Sequence, residues 1–232
     1  MSDDTVVPRK LLRTISYNID GLHMTNSKFS MFIDTIETQK PDILCLTNVT
    51  EDVFNKLLGS LERFYVSFQV FIEEEEDLGT VIMCNKETTA ISEDEPPYYF
   101  DYPGGTSGRV IGTGIVLKKS KSKFNILTAD IDHDNEDIRK IQFDILAKVI
   151  NDIEDYIILG DTGNLNLKGK GQGAKDVWIK LGCPFKIKTT DRMLRTYVDS
   201  RVLVPKAMSL IGIKTPMQGL ETIFQVNRKS RA

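Results

Sequence analysis

Acidic and amide side chains gather where three apolar runs of the chain end. Asn18-Ile19-Asp20-Gly21 follows the first run, Asn48 the second, and Gly160-Asp161-Thr162-Gly163-Asn164 the run near residue 158. Polar groups at strand carboxyl ends, with glycine allowing tight backbone, are a frequent way to build a site. Asn, Asp and Gly also make ordinary turns through local side-chain hydrogen bonds, so spacing alone leaves both readings open. Residues 163–170 are rich in glycine and lysine but miss the phosphate-loop pattern. Lys170 follows Gly169, yet Gly171 stands where a Ser or Thr would hold magnesium, and the stretch reads as a surface loop. His23 and His133 lie far apart without metal-ligand spacing. His133 sits inside Asp130-Ile131-Asp132-His133-Asp134, but no glycine supplies the sharp turn of a calcium loop, which favours a solvated loop. No Ser/His/Asp or Cys/His nucleophile assembles from this sequence.

The elements that must position these residues alternate. Leu11 to Asn18 reads as a buried strand, and Phe29, Phe32, Ile33 and Ile36 follow helical spacing up to Lys40-Pro41. Asp42 to Leu46 is a short apolar strand. Thr50 caps a helix with Glu51 and Asp52 in its first turn and Val53, Phe54, Leu57, Leu58 and Leu61 facing inward. Strands are expected at 65–72, 80–85, 109–117 and 124–129. A second long amphipathic helix is expected over 134–150, with Ile138, Ile141, Ile145 and Val149 on one face, and a strand over 156–159. Glu73 to Asp77 reads as a solvated acidic edge. Pro96-Pro97 and Pro103-Gly104-Gly105 mark an irregular segment whose aromatics, Tyr98, Tyr99, Phe100 and Tyr102, either pack under a loop or stack on a partner. Paired strands mixed with single helices predict two sheets with helices outside.

Composition limits the class. The 232 residues carry a net charge of −3, 41% hydrophobic and 27% charged side chains, as in an ordinary globular protein. That excludes collagen, low-complexity disorder and a disulfide scaffold. No apolar run approaches the roughly 18–20 residues that span a bilayer, so no membrane association is expected. MSDDTVVPRK has no apolar core of a secretory signal. Three cysteines (Cys45, Cys84, Cys183) without CxxC spacing argue against a disulfide framework and a zinc site. They suit an intracellular location in cytoplasm or nucleus. The mild acidity counts against strong sequence-blind nucleic-acid binding, because no global positive field draws phosphate in.

Taken together, the strand-end segments resemble the endonuclease/exonuclease/phosphatase superfamily, nearest to its tyrosyl-DNA phosphodiesterase 2 members. The likeness is carried by Ser16-Tyr17-Asn18-Ile19-Asp20-Gly21-Leu22, by Pro41-Asp42-Ile43-Leu44-Cys45-Leu46 and by Gly160-Asp161-Thr162. It continues through Asp176-Val177-Trp178 with Leu181-Gly182, Thr190-Asp191-Arg192-Met193, and Val204-Pro205-Lys206 with Leu210-Ile211-Gly212. Arg139 and Gln142 fit the family's helix. The resemblance implies a DNase I-like α/β fold, a four-layer sandwich of two packed mixed β-sheets flanked by helices. It covers residues 14–232 as a single domain behind a short tail, 1–13.

The family hydrolyses a phosphodiester that links tyrosine to a 5′ end. By resemblance, Asn18 falls on the first water-positioning Asn and Asp161 on the water-activating Asp. Asn164 approximates the second Asn, displaced by the extra Gly163, and Asp191 falls on a supporting Asp. The departures weigh more. Asn48 replaces the Glu that holds magnesium, Asp130 replaces one histidine and Met217 the other. The substrate-gripping stretch before Asp191 is missing, since Pro184-Phe185-Lys186-Ile187-Lys188 stands there. Losing a single transition-state stabiliser costs on the order of 10²–10³ in rate, and such units fail non-additively. The expectation is therefore a catalytically inactive relative that binds or scaffolds protein, with no cofactor, engaged through its helices or its aromatic segment. One alternative is a divergent magnesium-dependent phosphodiesterase using Asp161, Asn18 and Asn164, with Glu51 or His133 standing in for lost groups. A second is nucleic-acid binding without cleavage through Lys168, Lys170, Lys186, Lys188 and Arg192.

Overall fold

Strands that are covered on both faces lose the alternation of a half-exposed sheet and read as unbroken apolar runs. Leu11–Asn18 (β1) and Ile43–Val49 (β2) are of this kind, and every residue of β2 is buried. The computed structural model describes residues 11–70, 78–101, 109–132, 135–162, 174–181, 194–211 and 219–227. Between β1 and β2 runs the helix Asn26–Gln39 (α1), and after β2 the helix Glu51–Leu61 (α2). The strands Tyr65–Val70 (β3), Gly79–Asn85 (β4), Thr89–Ile91 (β5), Tyr98–Asp101 (β6), Arg109–Leu117 (β7) and Lys123–Asp130 (β8) follow. Glu136–Asn151 (α3) then leads to Tyr156–Asp161 (β9), Lys175–Asp176 (β10), the short helix Val177–Lys180 (α4), Leu194–Asp199 (β11), Leu203–Ile211 (β12) and Gly219–Val226 (β13).

The strands form two mixed sheets. One has six strands in the order β12-β13-β1-β2-β4-β3; the other has seven, β10-β11-β9-β8-β7-β5, with β6 also paired to β7. The parallel pairs are β1 with β2, joined through α1, and β8 with β9, joined through α3. Such parallel neighbours need a helical crossover. Alternate residues then point to different layers. Leu12, Ile43, Cys45, Ile126, Ile157 and Leu159 fill the space between the sheets. Ile15, Tyr17, Leu44 and Leu46 meet Phe32 and Ile36 of α1 and Phe54, Leu57 and Leu61 of α2. On the opposite side Leu127, Ala129 and Ile158 meet Leu146 and Ile150 of α3. The result is helix, sheet, sheet, helix.

The helix starts follow their caps. The Thr50 hydroxyl accepts from Val53 N–H at 3.4 Å, with Glu51 and Asp52 in the first turn of α2. Asn135 Oδ1 accepts from the N–H groups of Asp137 and Ile138 at the start of α3.

Two expectations from sequence need correction. The stretch beyond Pro96-Pro97 is not irregular: Tyr98–Asp101 pairs antiparallel with residues 109–112 of β7 as an edge strand. Its aromatics divide: Tyr99 is 58% exposed, while Tyr98 packs over Gly112 with its hydroxyl buried. The buried face of α3 is also different. Gln142, Leu146, Ala147 and Ile150 go inward, while Ile141 stays 46% exposed and Ile138, Ile145 and Val149 are only half-buried. The acidic run Glu73 to Asp77, Tyr102 and Cys183 lie outside the described residues.

One backbone position is restricted to glycine. Gly160 has φ of +133°, and a Cβ there would sit 2.2 Å from the carbonyl oxygen of Ala129 on the neighbouring strand. The conformation alone costs a side-chain-bearing residue about 1–3 kcal/mol. Gly160→Ala is therefore expected to lower the thermal midpoint by at least about 5 °C in a melting experiment, given about 2–4 °C per kcal/mol for a chain this long.

Candidate functional site at the strand ends

Parallel β1 and β2 end side by side, and so do parallel β8 and β9 in the other sheet. The first pair ends with Asn18 opposite Thr47, the second with Asp130 opposite Asp161. Because the sheets are stacked, these ends meet. Asn18 Nδ2 donates to Asp161 Oδ2 at 2.9 Å, joining one sheet to the other. Asp161 is fully buried, and a buried carboxylate without donors is strongly unfavourable.

The loops above this contact are tied to it. Asn18 Oδ1 accepts from Asp20 N–H at 3.2 Å, with Asp20 in the left-handed region at φ 50°. Gly21 follows, and a Cβ there would stand 2.8 Å from the Asn48 carbonyl oxygen and 2.7 Å from Thr50 N. The turn after β1 thus lies directly on the turn after β2. In the other sheet, Ile131 N–H donates to the Asp161 carbonyl oxygen at 2.9 Å, and Asp132 N–H donates to Gln142 Oε1 at 2.7 Å. Gln142 was recognisable in the sequence only as part of the family's helix; its work is to hold the Asp130–Asp132 strand end against α3.

Asn48 occupies the end of β2 at a register irregularity between Leu46 and Val49, with φ 56°. Asn tolerates this left-handed conformation better than most residues. The residue is 6% exposed, and its Nδ2 has no hydrogen-bond partner among the described residues. The hydroxyls of Thr47 and Thr162 beside it are likewise buried without a partner among the described residues. Asp130 shares the inner face of its sheet with Asp161, by strand alternation and in-register pairing. Glu51 is exposed in the first turn of α2, and His23 is exposed with its Nδ1 2.9 Å from Asp20 Oδ1. Tyr17, next to Asn18, has its hydroxyl pushed up to about 12 by burial and then by the Glu221 carboxylate, so it stays neutral at ordinary pH.

The structure therefore brings Asn18 and Asp161 into contact, sets Asp130 alongside, and puts Asn48 one residue past the Thr47 partner of Asn18. Asn164, Asp191, Met217, His133 and the basic residues Lys168, Lys170, Lys186, Lys188 and Arg192 lie outside the described residues. Among the described residues, no three His, Cys, Asp or Glu side chains come together as a metal-binding group. What sequence reading missed is the isolation of the Asn48 amide, since burial and lack of partners leave no mark in residue spacing.

Charge at the contact is testable. Asn18→Asp sets a second carboxylate against Asp161 and is expected to cost about 1–3 kcal/mol near neutral pH, the penalty of a mismatched buried polar pair. Like charges raise the pair's carboxyl pKa, so protonation relieves the repulsion and the loss shrinks as pH falls. Melting curves from pH 7 to about 4 should show that recovery for Asn18→Asp and not for Asn18→Ala.

No family model and no curated protein sequence matches this chain. Solved structures do. A D. rerio TDP2 structure, described as complexed with single strand DNA product, aligns with a TM-score of 0.77 at 18% identity, over 94% of this chain and 100% of that one. An endonuclease/exonuclease/phosphatase protein from Bacteroides vulgatus aligns at 0.76 and 11% identity, over 94% and 100%. The human Nocturnin catalytic domain, with bound sulfate, aligns at 0.72 and 15%, over 95% and 97%. The strand-end cluster of Asn18 and Asp161 is thus carried on the endonuclease/exonuclease/phosphatase fold, the fold of TDP2.

Proposed function

We propose that this chain is a catalytically silent member of the TDP2-like group that works by binding protein, as a scaffold or adaptor. The observation that carries the reading is Asn48. The resemblance gives its position to the magnesium-holding Glu, and here a buried neutral amide stands there, its N–H₂ donor without a partner among the described residues. Magnesium is a hard cation held by one or two carboxylates with water and substrate phosphates. A neutral amide offers such a cation at most one uncharged oxygen, a poorer seat than a carboxylate, and Asp161 already accepts from Asn18. A resident magnesium does not fit this set, so no step is routed through one and no cofactor is proposed.

Asp130 adds to the argument. A carboxylate in place of an imidazole opposes the negative charge of a phosphate, where the family stabilises it. Buried free thiols at Cys45 and Cys84 support a reducing compartment, cytoplasm or nucleus. No helix among the described residues is long and apolar enough to cross a membrane.

A second reading keeps catalysis, and one observation favours it: the 2.9 Å contact between Asn18 and Asp161 has the form of a water-activating pair. It would need magnesium. A third, nucleic-acid binding without cleavage, draws on the D. rerio TDP2 described with single strand DNA product.

One experiment separates them. The natural chain is expected to show no magnesium-dependent shift in melting temperature, whereas Asn48→Glu gains a rise of about 2 °C or more at millimolar metal. No turnover of a 5′-tyrosyl oligonucleotide is expected with magnesium present. Turnover that disappears in Asp161→Ala establishes the phosphodiesterase reading instead. Salt-sensitive binding of single-stranded oligonucleotide without turnover establishes the third.

A further inference from the structure

The half-buried flank of α3, packed against the core along one edge only, has a facing wall. Ile145, Val149 and Ile153 line one side of a surface groove of about 690 Å³, and Pro96, Pro97 and Tyr98 line the other. Apolar surface is open along both walls, with Ile141 46% and Phe100 39% exposed. Clustered exposed aliphatic and aromatic side chains of this kind mark interaction sites. The groove lies on the α3-covered face of its sheet, whereas Asp130 and Asp161 lie on the face toward the other sheet. Asn125 in its lining pairs with Tyr156 at the start of β9, five residues before Asp161.

Charge is confined to one end of the groove. Asp94 and Glu95 lie there, and Asp152 caps the carboxyl end of α3, whose free carbonyl groups add partial negative charge. Glu93, Asp94 and Glu95 all bear on a single lysine, Lys123, which is paired to Asp94 at 2.6 Å. Glu95 Oε2 also accepts from Asn125 Nδ2 at 3.2 Å. Lys148 is the cation in the lining itself. Carboxylates outnumber lysines around this end, while the other end is aromatic and aliphatic.

We propose that this groove docks an amphipathic helical segment of a partner protein, its apolar face against Ile145 and Val149 and its Lys or Arg residues against Asp152 and Glu95. The inference rests on the protein-binding part of the reading above and names the surface and the partner's chemistry. From Ile141 to Val149 the stripe runs about 12 Å at 1.5 Å per residue, enough for two turns of a second helix. A helix laid in an apolar groove with complementary charge at its end is a recurrent mode of recognition.

The test uses the intact chain and two labelled peptides of about 20 residues, long enough to hold a helix. One carries a leucine face ending in lysines; the other has glutamate for each lysine. Fluorescence anisotropy should show the lysine peptide binding at least about tenfold tighter, with Asp152→Lys reducing that preference. Ile145→Glu should weaken binding by about tenfold or more, as for the centre of an interface. Ile141→Ser, at an exposed position, should weaken it with an unchanged melting curve. Equal binding of the two peptides, or binding indifferent to both isoleucine variants, overturns the proposal. So does self-association of the free chain that Ile145→Glu abolishes, which would assign the groove to a second copy. Oligonucleotide turnover alongside selective peptide binding overturns only the catalytic silence, and absent turnover with unselective binding overturns only the groove.

Discussion

The contact on which the strand ends depend is one hydrogen bond between sheets, from Asn18 Nδ2 to Asp161 Oδ2. A carboxylate with no exposure must be met by donors, and the nearest strand of the facing sheet supplies one. Asn18 then also holds Asp20 through its Oδ1, while the Asp161 backbone holds Ile131. Three loops are thereby indexed to one buried group. This arrangement gives the pair a reason to exist without chemistry: together with the buried contact between the Thr196 and Thr222 hydroxyls at 3.0 Å, it sets the relative position of two sheets packed largely through apolar, non-directional contacts. A bond that looks catalytic by residue type is here also the joint of the sandwich.

The geometry of the strand ends is therefore set by folding requirements, whatever chemistry it carries. Asn48 sits on a bulged strand end, packed under the turn at Gly21 by contacts of its backbone carbonyl. The fold needs the left-handed turn and the close approach; it does not need a charge on the side chain. A buried charge without a partner is costly, and a neutral amide at this position avoids that cost. Its Nδ2 has no hydrogen-bond partner among the described residues.

Much of the architecture was legible because burial on both faces writes itself as continuous apolar runs, as in β2 and β9. The caps were legible too, since Thr50 acts within four residues of its own position. Legibility failed where a long-range polar need outranked hydrophobic spacing. Counting apolar residues gives α3 the face of Ile138, Ile141, Ile145 and Val149, but Gln142 goes inward because Asp132 N–H requires its Oε1. Likewise Pro96-Pro97 reads as a break, yet an edge strand accepts prolines at its start, and Tyr98–Asp101 pairs normally with β7. At the strand ends Asn18 and Asp161 were recognisable by type and place, whereas their mutual contact, 143 residues apart in sequence, was not.

The misread face of α3 and the groove are one fact seen twice. A helix that buries Gln142, Leu146 and Ile150 also packs one edge of Ile145 and Val149 against that core and leaves their other edge to the groove. Leaving that edge in water carries a hydrophobic penalty of about 25 cal/mol per Å² of apolar surface. A chain whose polar surplus sits at the strand ends and whose apolar surplus sits beside α3 has two separate surfaces. The first answers to the fold's joint. The second is only half satisfied inside the molecule, and a partner helix with a charged end covers both its apolar walls and its acidic mouth.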